Sequence, residues 1–245
     1  MNPSVFSLHN HTPFSDGAYS IDEVVEAHLD VPGVRVEGVG ISDHLFCTPS
    51  SRLIHSERDF DRVFAAEARR YVAAVHDARR RWQGRMRIFC GAEISWPLNK
   101  GHIGRIRESM AGLDYVLFEN LDWAGLTTLA NQARRWPCSV GLAHTAVEEQ
   151  FPSTSMDQVV RTMANTRLFY ELNVKLLPLE RHERWLSILP QHRVMVSLGV
   201  DVHDDLSCIQ QLPILYSFVE KHGLAGKMVV PQPRVVTPTP AAQIA

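Results

Sequence analysis

His9 and His11 flank one residue at the end of an apolar run, residues 5–8, and Asp16 follows just before Gly17. Side chains two apart on a strand point the same way, so a strand over 5–8 sends both imidazoles off its end on one face. Two nitrogens and one oxygen held that close suit a borderline divalent cation such as Zn, Mn or Fe. Taken alone, such a motif reads better as a polar strand end capping a loop. The pattern repeats along the chain. His44 follows the apolar run 36–41, Glu93 follows 86–92, His144 follows 139–143, and Asp201 and His203 follow 193–200.

The intervening segments say what positions these groups. Ser20 and Glu23 form a capping box that opens a helix to about residue 29, stopped by Pro32 and Gly33. A loop is expected over 46–55. A long helix is expected over 57–82, with Tyr71, Val75, Ala78 and Trp82 on its apolar stripe and Arg69, Arg70 and Arg79 to Arg81 on a solvated face. A loop over 97–102 places His102 nine residues beyond Glu93. Strands are expected over 114–118 and 168–172, the latter delivering Asn173 and Lys175. Helices are expected over 123–136, from the capping box Ser155–Gln158 to 165, and over 179–189 and 206–222. Seven strands alternating with helices argue a parallel sheet wrapped by helices, an α/β architecture. Residues 1–230 read as one domain, and 231–245, with four prolines, as a linker-like tail.

In parallel α/β barrels the active site forms at the C-terminal ends of the strands. Six of the twelve histidines lie on strand ends or the loops after them: His9, His11, His44, His102, His144 and His203. Several polar groups can share a buried place only by pairing or by coordinating something. A shared metal site explains the concentration. His28, His55, His76, His182, His192 and His222 read as surface or satisfied core residues.

Bulk properties narrow the classes. The chain has 245 residues, 45% hydrophobic and 21% charged, as expected of an ordinary globular protein. A net charge of −2 gives no footprint for stable binding of long nucleic acid. No apolar run is long enough to span a bilayer, and no signal peptide is evident, so a cytoplasmic protein without a membrane partner is expected. Cys47, Cys90, Cys138 and Cys208 lack C-x-x-C spacing and read as reduced thiols.

The motifs together resemble the PHP family, named for polymerase and histidinol phosphatase. They are His9-Asn-His11 with Ser15-Asp-Gly17, Ser42-Asp-His44, Gly91-Ala-Glu93 with Gly101-His102, Ala143-His144-Thr145, and Asp201-Val-His203. They run in family order over almost the whole chain. The resemblance implies a distorted seven-stranded (β/α)7 TIM-like barrel with three divalent metal ions, Zn, Mn or Fe. One metal would take His9, His11, Glu93 and Asp201. A second would share Glu93 and add His102 and His144. The third would take Asp16, His44 and His203. Many members have a histidine after the strand matching 114–118, where this chain has Phe118-Glu119. His102 is expected to replace it, with Glu119 as the fallback. Asp16 stands where some members have histidine.

The activity implied is metal-dependent hydrolysis of phosphate esters, with a small phosphomonoester (histidinol phosphate-like or nucleotide-like) as the partner. Clustered cations lower the pKa of bound water and polarise phosphoryl oxygens. Glu93, Asp201 and His203 are the expected catalytic residues, and Lys175, Lys100 and Arg105 the expected substrate contacts. The alternatives are a 3′–5′ exonuclease or phosphodiesterase acting on short oligonucleotides, and a non-catalytic scaffold.

Overall fold

The computed structural model describes residues 2–45, 57–109 and 112–234. The loop expected over 46–55, Cys47 within it, and the tail from 235 onward lie outside these. One sheet runs through the molecule, and every adjacent strand pair is parallel. Its strands are β1 (Ser4–Ser7), β2 (Arg35–Ile41), β3 (Arg87–Cys90), β4 (Glu93–Ser95), β5 (Tyr115–Glu119), β6 (Ser139–Leu142), β7 (Phe169–Asn173) and β8 (Val196–Gly199). Their order is β3-β2-β1-β8-β7-β6-β5-β4.

The count is eight where the sequence suggested seven, because the strand expected over 86–92 is broken. Gly91 and Ala92 interrupt it, and β3 and β4, at opposite ends of the order, are separated by these two residues alone. Hydrogen bonds flank the break on both sides. Gly91 N donates to Ile41 O at 2.7 Å, and Asp114 N to Cys90 O at 2.7 Å. The cause is local packing. A Cβ on Gly91 would lie 2.2 Å from the Tyr115 ring, so only glycine lets that ring cross beneath the strand.

Alternation along the strands divides the apolar side chains into two cores. Val116 and Phe118 of β5 join the large layer between sheet and helices, while Tyr115 and Leu117 face a smaller cluster with Phe6, Leu8, Phe89, Ala143, Phe169 and Val229. The helices covering the outside include α1 (Ile21–Ala27) and α2 (Glu57–Arg81), whose Tyr71, Val75 and Ala78, with Trp82 just past its end, are buried as the stripe predicts. The expected loop over 97–102 is instead helical. It forms α3 (Trp96–Asn99), with Pro97 at a position where its missing N–H is harmless, a tight turn Lys100–His102, and α4 (Ile103–Ser109). Then come α5 (Trp123–Gln132), α6 (Val147–Gln150), α7 (Met156–Thr166), α8 (Glu183–Ile188) and α9 (Leu212–Lys221). Both expected capping boxes, at Ser20 and Ser155, are formed.

The chain crosses back under the sheet after α9. Val229 N donates to Val196 O at 2.7 Å, and Arg234 N to the buried Asp114 carboxylate at 2.6 Å. No helix among the described residues is long and apolar enough to cross a membrane.

Candidate metal centre

The strand pairing continues past the ends of β1 and β8. Asp201 N donates to His9 O at 2.8 Å and His11 N to Val202 O at 2.9 Å. This carries His9, His11 and Asp201 over the sheet's C-terminal edge together. The residue pairs two apart end with their side chains against one another: His9 Nε2 lies 3.0 Å from His11 Nε2. Glu93 Oε2 is 3.3 Å from His9 Nε2 and 3.4 Å from His11 Nε2, and Asp201 Oδ1 is 3.0 Å from His11 Nε2.

Two more groups adjoin this one. In the first, His144 Nε2 is 2.9 Å from Glu93 Oε1 and 3.9 Å from Glu119 Oε2. In the second, Asp16 lies 3.6 Å from His11 Nδ1, 3.8 Å from His44 Nε2 and 3.5 Å from His203 Nε2. His44 Nδ1 is 3.1 Å from Glu93 Oε2, so Glu93 faces all three groups. Donor atoms close enough to share one ion recur in three sets: His9, His11 and Glu93; Glu93, Glu119 and His144; and His11, Asp16, His44 and His203.

Of the nine ligands expected from sequence, eight meet here. His102 belongs to none of the three sets, because Lys100–His102 is wound into the turn between α3 and α4 rather than extended over the cavity. Glu119, at the last position of β5, occupies the place beside Glu93 and His144. Lys175, anchored by its backbone N–H to Asn173 Oδ1 at 2.9 Å, extends its ammonium to Asp201 Oδ2. Lys100 sits on that same turn and Arg105 on α4.

Two supporting residues carry weight that the sequence left open. Glu171, fully buried on β7, accepts from His9 Nδ1 at 2.9 Å and from the His144 backbone N–H at 2.8 Å. A carboxylate only accepts, so it fixes the proton on Nδ1 and turns the Nε2 lone pair of His9 toward the cluster. A lone carboxylate inside the apolar strand 168–172 was the signal. Gly199 makes room for it, since a Cβ there would lie 2.1 Å from Glu171 Oε1. Asp43 was not singled out. Its buried carboxylate accepts from Thr12 N, Thr12 Oγ1 and Ser15 Oγ, each at 2.7 Å, and so shapes the loop that carries Asp16.

The donor set fits divalent cations. Glu93 Oε2 and Asp201 Oδ1 are buried without a hydrogen bond, and desolvated oxygens of this kind are costly unless they pair or coordinate. Two imidazole Nε2 atoms at 3.0 Å, with His9 already donating through Nδ1, aim lone pairs at a common point. Without a cation, burial lowers His9, but Glu171, Asp201 and Glu93 outweigh it and raise its pKa well above the ordinary value. Burial, with a contribution from His9, pushes His11 down to about 4. Burial also raises Glu93 and Asp201, yet the surrounding histidines hold both well below the usual carboxylate range. His144 and Asp201 adopt left-handed backbone, φ 27° and 55°, a strained conformation that collects at functional sites.

No protein-family model matches the sequence, and no curated protein does. Solved structures do. The histidinol phosphate phosphatase of Lactococcus lactis subsp. lactis, complexed with zinc, L-histidinol and phosphate, aligns over 90% of this chain and 94% of its own, with TM-score 0.63 and 14% identity. A protein provisionally assigned as a histidinol phosphatase from Listeria monocytogenes aligns over 86% and 99%, with TM-score 0.58 and 10% identity. The fold is the one seen in these two structures. The clustered residues stand at the sheet edge where parallel barrels place their active sites.

Proposed function

We propose that this chain is a metal-dependent phosphoesterase acting on a small phosphomonoester, histidinol phosphate-like or nucleotide-like. The observation that carries the reading is Glu93, a buried carboxylate with histidines of three donor sets around its two oxygens. We read β3 and β4 as one interrupted strand, so that the sheet closes as a distorted seven-stranded barrel over residues 1–230.

His9, His11, Glu93 and Asp201 would hold one divalent ion, Zn, Mn or Fe. Glu93, His144 and Glu119 would hold a second, with Glu119 in the place first expected of His102. Asp16, His44 and His203 would hold the third. Bound metal ions would lower the pKa of a coordinated water and offset charge on the phosphoryl oxygens. The protein's share is placement. Glu171 fixes the protonation of His9, and Asp43 fixes the Asp16 loop. Lys175, beside Asp201, supplies a cation for the phosphate, with Lys100 and Arg105 after β4 as further cations. Glu93, Asp201 and His203 line the reacting volume as its catalytic residues. His203 Nδ1 lies 2.9 Å from the backbone oxygen of Asp201, which orients its ring.

The zinc, L-histidinol and phosphate in the Lactococcus structure support a small phosphorylated substrate here. The test is a screen of phosphomonoesters and phosphodiesters with Mn, Zn and Fe added separately. Turnover of monoesters over diesters is expected. Preference for short oligonucleotides would make the chain an exonuclease. Failure to bind metal would leave it a scaffold.

A further inference from the structure

At the opposite end of the strands lies a second concavity. Ser139 opens β6, whose far end delivers His144 five residues on, about 16 Å away at ~3.3 Å per residue. Beside Ser139 a cavity of about 790 Å³ is lined by Arg134, Arg167, Arg234 and Thr166, with Asp114 at its wall. A neighbouring cavity of about 640 Å³ shares Arg134 and Arg167 and adds Arg193.

These guanidiniums have nothing to neutralise them among the described residues. No hydrogen bond or ion pair engages the side chain of Arg134, Arg167 or Arg234 there. The only carboxylate on the cavity wall among the described residues, Asp114, is committed: it is paired with Arg79 and accepts from Cys90 N at 2.8 Å and Arg234 N at 2.6 Å. Residues 235–245, which follow Arg234, contain no Asp or Glu. A structural role as helix-dipole partners is the competing explanation, since α5 and α7 end nearby. Arg167 caps α7 through its backbone N–H, which donates to Met163 O, yet neither the Arg134 nor the Arg167 guanidinium donates to a helix-end carbonyl among the described residues. Cations gathered around a concavity raise its potential, and the guanidinium fork matches phosphate oxygens. The volume falls in the range of small-ligand sites.

We propose that this basal cavity binds a small phosphate-bearing anion between Arg134 and Arg167, at a site separate from the metal centre. The test is calorimetric titration of pyrophosphate into the metal-stripped full chain, with citrate at matched ionic strength as the non-phosphate arm. One saturable pyrophosphate site is expected, retained in Glu93→Gln. Arg134→Ala/Arg167→Ala should weaken it ~10-fold or more. Both side chains are exposed, so melting temperature confirms the fold, and Arg134→Gln/Arg167→Gln gives an independent pair. The proposal is overturned if pyrophosphate does not saturate, if both double variants bind like wild type, if citrate binds as tightly, or if Glu93→Gln abolishes binding.

Discussion

Glu171 accepts from His9 Nδ1 at 2.9 Å while its other oxygen accepts from the backbone N–H of His144 at 2.8 Å. One carboxylate thus ties a ring at the end of β1 to the strained backbone after β6. Glu171→Gln replaces one of these acceptors by an NH₂ group. Metal affinity should fall ~10–100-fold, the usual effect of disturbing a group that orients a ligand. A buried N–H left unpaired should also cost about 1–3 kcal/mol. Chelator competition and urea unfolding measure the two; unchanged chelator competition would refute the orienting role.

Gly199 provides an indirect approach to the same bond. Its added Cβ would meet the Glu171 carboxylate carbon at 2.7 Å and the Asn173 amide nitrogen at 2.8 Å. Gly199→Ala should displace Glu171 from His9, costing about 1–3 kcal/mol and weakening metal binding without touching a ligand. Wild-type affinity in this variant would mean that the pocket tolerates the methyl group.

The choice between Glu119 and His102 is settled by metal stoichiometry. Glu119→Ala should lose one equivalent, while His102→Ala keeps all of them, because only Glu119 joins Glu93 and His144. The opposite outcome would return the ligand to His102.

His28 lies away from the cluster, on the end of α1, fully buried with Nδ1 at 2.7 Å from Val24 O. Burial pushes it down to about 4. The unfolded chain takes up a proton near the ordinary ~6.5 and the folded chain does not, so stability present above 6.5 is lost as pH falls toward 4. Between pH 7.5 and 5 the loss should be on the order of 2 kcal/mol. His28→Leu should remove this part of the pH dependence in denaturant titrations. Parallel curves for the two proteins would exclude it.

Much of this arrangement was legible in the residues. Strand-end polar groups after apolar runs located His9, His11, His44, Glu93, His144, Asp201 and His203, because strand direction and period decide where such groups emerge. Ser20 and Ser155 announced their helices through local hydrogen bonds that need no tertiary context. What stayed hidden depends on neighbours distant in sequence. The break at Gly91 follows from the Tyr115 ring beneath it. His102 was misjudged as a loop residue because the Pro97 and Gly101 signals also suit the helical turns they occupy. Asp43 shows its role only once the 12–16 loop is seen folded over it.

The central claim is that Glu93 joins neighbouring metal sites in a phosphoesterase. It is tested most directly by measuring metal content and phosphomonoester turnover on the same metal-reconstituted samples of wild type and Glu93→Gln. An amide cannot offer two anionic oxygens. The account predicts close to three metal equivalents and turnover in wild type, with at least one equivalent lost and turnover down ~100-fold or more in the variant. Equal metal content and turnover in the two proteins, or a wild type that binds no metal, would contradict it.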